Sequence, residues 1–374
     1  MRTMHPVVGL GSYLWDQEWL PLDEFEERLR AVRRIMAARG WAGLIVHGNS
    51  QDSALLTYLT NFYPRLRWTL ALVPQEGDLR LLVAGSPRDL PAARPLTWVK
   101  DVEDYGMNAR KVLPAWLDAL PKSGTHPRIG LYGADWMRRP IHATVAGAIA
   151  SRADAEPADE ALDALLRQKR PRELAMARRS SAILAETVRA MARAQDDGAS
   201  TVAASIAAER TARLAAAQDV RVLFSLDGGR TLRPFEGLSE IRCDPLVAYV
   251  AVRYLGYWSE AMVTLGDSPA RKAAAAALGA MIEAARPGVT GGALAAIARR
   301  HLGNLTPHPV IGGRIGHGIG LALDEAPILD ADGGAMEPGG IYSLHVGVSD
   351  GATGALLSAM VAVGEGCKVL WSAV

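Results

Sequence analysis

The sequence predicts an α/β domain followed by an α+β domain, and three observations lead to that class. At 374 residues the chain is long enough for two hydrophobic cores. Helix and strand signals alternate to about Ala150; beyond it, long strands pair as hairpins beside amphipathic helices, implying an antiparallel sheet with helices over one face. Between the two regimes lies "SRADAEPADEAL", with few large apolar residues and one proline, which predicts domains over residues 1–155 and 160–374.

In "LDEFEERLRAVRRIMAARG", Phe25, Leu29, Val32 and Met36 recur at helical spacing and Gly40 is a natural stop. "AGLIVHGN" is a short apolar run between turn residues and predicts a buried strand. "LRWTLALVP" and "LRLLVAG" predict two more, joined by the turn "QEGD". After the boundary, "DALLRQKRPRELAMARRSSAILAETVRAMARA" predicts a long amphipathic helix with a possible restart at Pro171. "DGASTVAASIAAERTARLAAA" is a further helix with Ser and Thr near its start. "VRVLFSL" and "LVAYVAVRYLGYWSEAMVTLG" are strands, and "SPARKAAAAALGAMIEAARPG" is a helix stopped at Pro287-Gly288. "GALAAIARRHLG" is the next helix, and strands and loops follow from Pro309.

Composition narrows the functional classes. Hydrophobic residues make up 49% and charged ones 22%, an ordinary globular balance. A net charge of +1 supplies no field toward nucleic acid or an anionic membrane. Cys243 and Cys367 are too few for a disulfide framework and are not spaced as a zinc pair; ordinary buried thiols are expected. Trp15, Asp16 and Glu18 interrupt the place where a signal peptide needs an apolar run. No apolar run reaches the length of a membrane span. A cytoplasmic protein acting on a small molecule is expected.

The hairpin "YVAVRYLGYWSEAMV" carries the first chemical signal. With Leu255-Gly256 as a two-residue turn, Ala251 lies opposite Glu260 and Tyr249 opposite Met262. Tyr249 and Glu260 then share a face as diagonal neighbours. A carboxylate on an apolar strand face is costly unless paired or bound to a metal, and a solvated sheet face is the simpler alternative.

Taken in order, "FEERLRAVRRIMAARGWAGLIVHGN", "LLTYLTNF", "LLRQKRPREL", "YLGYWSEAMVTLG", "ARPGVTGG", "GHGIGLALDEAP", "EPGGIYSLHVGV" and "LLSAMVAVGEG" resemble the creatinase/aminopeptidase P/methionine aminopeptidase, or pita-bread, family. The resemblance spans essentially the whole chain. It implies a creatinase-type N-terminal α/β domain, a C-terminal pita-bread domain and a homodimer. It also implies a site on the curved sheet, where working peptidases hold two metal ions with two aspartates, one histidine and two glutamates.

Carried over position by position, that set is largely replaced. The aspartate positions hold Tyr249 and Glu260, the histidine is kept as His317, and the glutamate positions hold His345 and Ser358. The substrate-contacting histidine after the glycine-rich motif is Asp324, and the loop before the hairpin offers Arg230 or Arg233 in place of a histidine. A two-metal hydrolase needs bridging carboxylates, so the dinuclear aminopeptidase reading fails. Glu260, His317 and His345 remain as ligands for one divalent ion: iron, manganese or zinc. Asp324 and Tyr249 are the expected catalytic groups. Ser358, Arg233 and Arg67 are the expected substrate contacts, the last reaching a partner subunit's site as in creatinase-type dimers; Arg65 is its neighbour in "NFYPRLRW".

The expected reaction is hydrolytic or lytic cleavage of a C–N or related C–heteroatom bond in a small amino-acid-like molecule. Three alternatives stay open: a metal-free creatinase-like hydrolase, a mononuclear iron oxygenase, and an inactive pseudopeptidase serving as a binding scaffold. His5, His47, His126, His142, His301 and His308 have no partners at ligand spacing and are expected to be structural or at the surface.

Overall fold

The computed structural model describes residues 13–122, 124–234, 237, 239–351 and 353–374, so His5 lies outside the described residues. Contacts divide the chain into two compact units, one ending at Leu166 and the other beginning at Arg167.

The first unit is built on a six-stranded sheet in the order β4-β3-β2-β1-β5-β6: β1 (Gly43–Gly48), β2 (Thr69–Pro74), β3 (Arg80–Val83), β4 (Asp101–Asp104), β5 (Arg128–Tyr132) and β6 (Asp154–Pro157). β1–β2 and β2–β3 are antiparallel, and the other pairs are parallel. β1 is buried along its whole length, as a central strand covered on both faces must be. Helix α1 (Leu22–Arg39) buries Phe25, Leu29, Val32 and Met36, and Gly40 ends it at φ 70°, a left-handed conformation that glycine adopts without steric cost. Helices α2 (Ala54–Thr60), α3 (Tyr105–Asp118), α4 (Arg139–Ile149) and α5 (Asp159–Arg167) complete the unit.

The stretch 155–160, expected as an interdomain boundary, begins inside β6 and runs into α5. Its polar composition has a local cause: β6 pairs only with β5 at the sheet edge, and most of its side chains are exposed. The division falls later, at the C-terminal end of α5.

In the second unit, helix α6 (Pro171–Asp196) starts with proline in its first turn, and Glu173 accepts a hydrogen bond from Arg170 N at 3.0 Å. Helices α7 (Thr201–Leu214), α8 (Pro269–Ala284) and α9 (Gly291–Leu302) are each capped by a hydroxyl accepting from the backbone: Ser200 from Ala203 N, Ser268 from Arg271 N, Thr290 from Ala293 N. One sheet is three-stranded and antiparallel, with β7 (Asp219–Phe224), β8 (Leu246–Tyr254) and β9 (Tyr257–Leu265) in that order. The second runs β12-β11-β13-β14-β15, with β10 paired to β13: β10 (Thr306–Pro307), β11 (Gly316–Gly318), β12 (Glu325–Leu329), β13 (Ile341–Ser349), β14 (Gly354–Val363) and β15 (Cys367–Ser372).

Alternation along these strands separates core from site. Ala248, Val250, Val252, Ala261 and Val263 share a core with Ile183 and Leu184 of α6 and Ala208 of α7. Leu344, Val346, Leu357 and Ala359 share another with Leu278 and Met281 of α8 and Leu294 of α9. Tyr249, Glu260, Ser343, His345 and Ser358 occupy the alternate positions. The β8–β9 turn has Leu255 at φ 45° and Gly256 at φ 89°, and the register pairs Ala251 with Glu260 and Tyr249 with Met262, as the sequence predicts.

The two sheets meet along β9 and β14 through side chains. Met262 N donates to Ser358 Oγ at 2.8 Å, while Thr264 Oγ1 donates to Leu356 O at 3.1 Å and accepts from Leu356 N at 2.9 Å. Each hydroxyl supplies a bond to a buried backbone group, which would otherwise be left costly.

Candidate metal centre

His317 lies on β11, where a Cβ at Gly316 would collide with Ser343 O and one at Gly318 with Ala326 O. The two glycines let β12 and β13 close tightly around the histidine and hold its backbone. Its Nδ1 lies 2.8 Å from Gly318 O, and because a carbonyl only accepts, Nδ1 carries a proton. Nε2 therefore faces inward, 3.1 Å from Glu260 Oε1. His345 on β13 brings its own Nε2 to 2.8 Å from the same oxygen. Tyr249 donates its hydroxyl to the other oxygen, Glu260 Oε2, at 2.8 Å.

All three groups are withdrawn from water: Glu260 is 2% exposed, His317 5% and His345 4%. Burial alone would raise the Glu260 carboxyl, but hydrogen bonds from His317 and His345 and their positive charge outweigh it and hold the group well below the usual carboxylate range. Burial opposes a charge on His317, yet the Glu260 carboxylate raises it above the ordinary histidine value. On His345 burial wins over Glu260 and lowers it. Burial and the adjacent Glu260 charge push the Tyr249 phenol well above its usual value, so Tyr249 remains a donor.

The donor set fits one divalent ion. A neutral His317 with its proton fixed on Nδ1 turns a lone pair toward a carboxylate oxygen, which is repulsive unless a proton or a cation lies between them. The contacts of 3.1 and 2.8 Å match neighbouring ligand atoms around an ion with bonds of about 2.1 Å. Glu260, His317 and His345 form the one group of metal-binding type among the described residues. The family's second ion position does not fit: Tyr249 is a protonated phenol already committed to Glu260 Oε2, and Ser358 Oγ is committed to Met262 N.

A cavity of about 420 Å³ opens on this group, lined by Tyr249, Glu260, His317 and His345 with Arg314 and Asp324 among its other walls. Arg314 Nη1 and Asp324 Oδ2 pair at 2.7 Å, both half-exposed. Asp324 also stands 3.9 Å from His317 Nδ1. Behind Asp324, buried Glu325 pairs with Lys169 Nζ and accepts from Ala322 N at 3.0 Å, anchoring the 320–325 loop.

The structure thus gathers Tyr249, Glu260, His317, His345 and Asp324 about one cavity. Ser358 does not line it: the side chain is fully buried in the β9–β14 seam, its hydroxyl accepting from Met262 N. Arg233 is exposed, pairs through its backbone with Phe224 and does not line the cavity. Arg67 belongs to the first unit, where its Nη1 donates to Ala84 O at 3.4 Å. His308 is buried and structural, its Nδ1 accepting from Val310 N at 3.1 Å and its Nε2 donating to Gly229 O. His47 is buried in β1. Cys243 and Cys367 are free thiols, only partly buried.

Sequence reasoning missed Arg314, Lys169 and Ser343. Ser343 Oγ lies 2.9 Å from His345 Nε2, and the two-residue spacing in "YSLHV" was the available signal.

Comparison with known proteins places this geometry. Solved structures resemble the chain over almost its whole length. The X-Pro aminopeptidase from Thermotoga maritima MSB8 gives a TM-score of 0.71 at 17% identity, covering 91% of this chain and 96% of that one. A prolidase from Thermococcus sibiricus gives 0.73 at 18%, covering 94% and 97%. A His361Ala form of Escherichia coli aminopeptidase P gives 0.69 at 16%, covering 93% and 94%. Identities this low establish the fold alone. No curated protein sequence matches. Residues 152–365, more than half of the chain, match the family model for Metallopeptidase family M24. The chain belongs to metallopeptidase family M24 and has the pita-bread fold of the prolidases and aminopeptidase P.

Proposed function

We propose that this chain is a one-metal hydrolase or lyase that cleaves a C–N or related C–heteroatom bond in a small amino-acid-like molecule, and not a two-metal aminopeptidase. One observation carries the reading: with Nδ1 bound to Gly318 O, His317 aims Nε2 at a carboxylate oxygen that His345 Nε2 also approaches. Glu260, His317 and His345 would hold the ion, and a divalent ion there supplies Lewis acidity and a more acidic water when bound.

The remaining roles belong to the chain itself. Tyr249 donates its one proton to Glu260 Oε2 and so orients the carboxylate, while its hydroxyl oxygen can accept from a substrate donor. Asp324, half-exposed at the cavity and paired with Arg314, would move a proton between water and a bound substrate. Arg314 can grip a substrate carboxylate in exchange for Asp324. Val310, Ile311, Leu323 and Met262 supply apolar walls to the cavity. The homodimer and the role of Arg67 in a partner's site remain part of the reading.

The metal-free alternative has one observation in its favour: a protonated His317 beside the Glu260 carboxylate satisfies both groups without an ion. Elemental analysis and reconstitution separate the two. The one-metal reading expects one tightly held ion per chain and turnover of small amides that chelation abolishes and metal restores, with no cleavage of Xaa-Pro dipeptides. Turnover that persists in stringently chelated protein would favour the metal-free reading. Two ions per chain would sink both.

A further inference from the structure

We propose that the Ser343 hydroxyl is a fourth donor to the ion held by Glu260, His317 and His345. The inference rests on the one-metal reading and extends it to a residue outside the family's ligand positions.

Ser343 is fully buried on β13, two residues before His345 and on the same face, and its register partner on β11 is His317. It therefore shares a sheet face with both histidines. Its Oγ is 2.9 Å from His345 Nε2, the nitrogen that is itself 2.8 Å from Glu260 Oε1. These separations are again the spacing of neighbouring ligands around one ion.

Nitrogen, carboxylate oxygen and hydroxyl oxygen all present lone pairs that a cation among them can accept. Serine hydroxyls serve as ligands of hard divalent ions in other sites. On the β14 side its register partner is the apolar Met360, and the hydroxyl turns instead to His345 Nε2.

The test uses the full chain stripped of metal and titrated with Co²⁺. Wild type should bind one equivalent with visible ligand-field bands. Ser343→Ala should bind about tenfold to a hundredfold more weakly, with altered band intensity from the lost ligand. Ser343→Cys, nearly the same size, should give a near-ultraviolet thiolate-to-cobalt charge-transfer band absent from both other forms. That band is independent of turnover, and circular dichroism of the metal-free variants checks folding. Wild-type Co²⁺ binding with unchanged Ser343→Ala affinity and no charge-transfer band in Ser343→Cys would overturn this assignment and leave the one-metal reading standing. Wild type that takes up no Co²⁺ would overturn both.

Discussion

Replacing Glu260 by glutamine changes one atom and removes the only negative charge of the three-residue group. In the structure Oε1 receives His317 Nε2 at 3.1 Å and His345 Nε2 at 2.8 Å, and Oε2 receives the Tyr249 hydroxyl at 2.8 Å. In the metal-free protein the carboxamide can still accept from an imidazole, its amino group can meet a Tyr249 hydroxyl turned to accept, and His317 can release its proton. Desolvation of the carboxylate is relieved at the same time. The expected loss of metal-free stability is therefore about 1–2 kcal/mol, one or two adjusted hydrogen bonds. An ion held by the three side chains would have no such escape. Stripping one partner from a buried charge pair costs about 3–5 kcal/mol, which in affinity is roughly 10² to 10⁴. Competition with a chelator of known affinity measures the second quantity, and urea unfolding of the metal-free protein at pH 8 measures the first. Unchanged metal affinity would refute Glu260 as a ligand. A metal-free stability loss well above 4 kcal/mol would mean that the carboxylate serves the fold as half of an ion pair.

Three further outcomes follow from individual contacts. Neither ring nitrogen of buried His47 finds a hydrogen-bond partner, and burial, weakly opposed by the nearby Gly133 backbone, pulls its pKa from 6.5 to about 4. The folded state holds the ring neutral, so its stability is intact above pH 6.5 and falls by about 3 kcal/mol as pH drops to about 4; His47→Met should lose that acid dependence in pH-resolved denaturant unfolding of the first unit. Lys169→Met strands the buried Glu325 carboxylate and should cost about 3–5 kcal/mol, largely recovered by adding Glu325→Gln, as a double-mutant cycle in urea would measure. Ser358→Ala leaves Met262 N without its acceptor and should cost about 1–3 kcal/mol in unfolding while leaving substrate KM unchanged; a raised KM at intact stability would return Ser358 to substrate binding.

What the sequence disclosed follows from how local each feature is. The β8–β9 register is set by a two-residue turn and strict alternation, so the shared face of Tyr249 and Glu260 was readable before any coordinates. His317 was legible through its flanking glycines, whose reason lies in the collisions a side chain would make there. The boundary at 155–160 misled because exposed edge strands and linkers have the same polar composition; only the pairing of β6 with β5 distinguishes them. Ser358 misled for a different cause. A hydroxyl at a former ligand position reads as a substrate contact, whereas its partner, Met262 N, lies 96 residues away in sequence and is placed by the meeting of two sheets. Lys169 with Glu325, 156 residues apart, was invisible in the same way.

On the one-metal reading the residue identities at the site are coupled, and Tyr249 is where the coupling begins. An aspartate at that position would share a metal with Glu260, whereas a phenol donates a hydrogen bond to it. That bond occupies Oε2 and leaves Oε1 as the oxygen turned toward both imidazoles. With one carboxylate oxygen on offer, a second glutamate at position 345 would crowd two anions into a buried space with too few cations, while a neutral histidine adds a donor at no cost in charge. The serine at position 358 follows the same logic, since an anion there would also lack a counter-charge, and a hydroxyl is instead absorbed into the β9–β14 seam. Tyr249→Phe tests the root of the chain of replacements. Freeing Oε2 should lower metal affinity by about tenfold to a hundredfold through loss of orientation, with the stoichiometry still one. Affinity equal to wild type would break the link between the phenol and the site's ligand count, and the identities at positions 345 and 358 would then need separate causes.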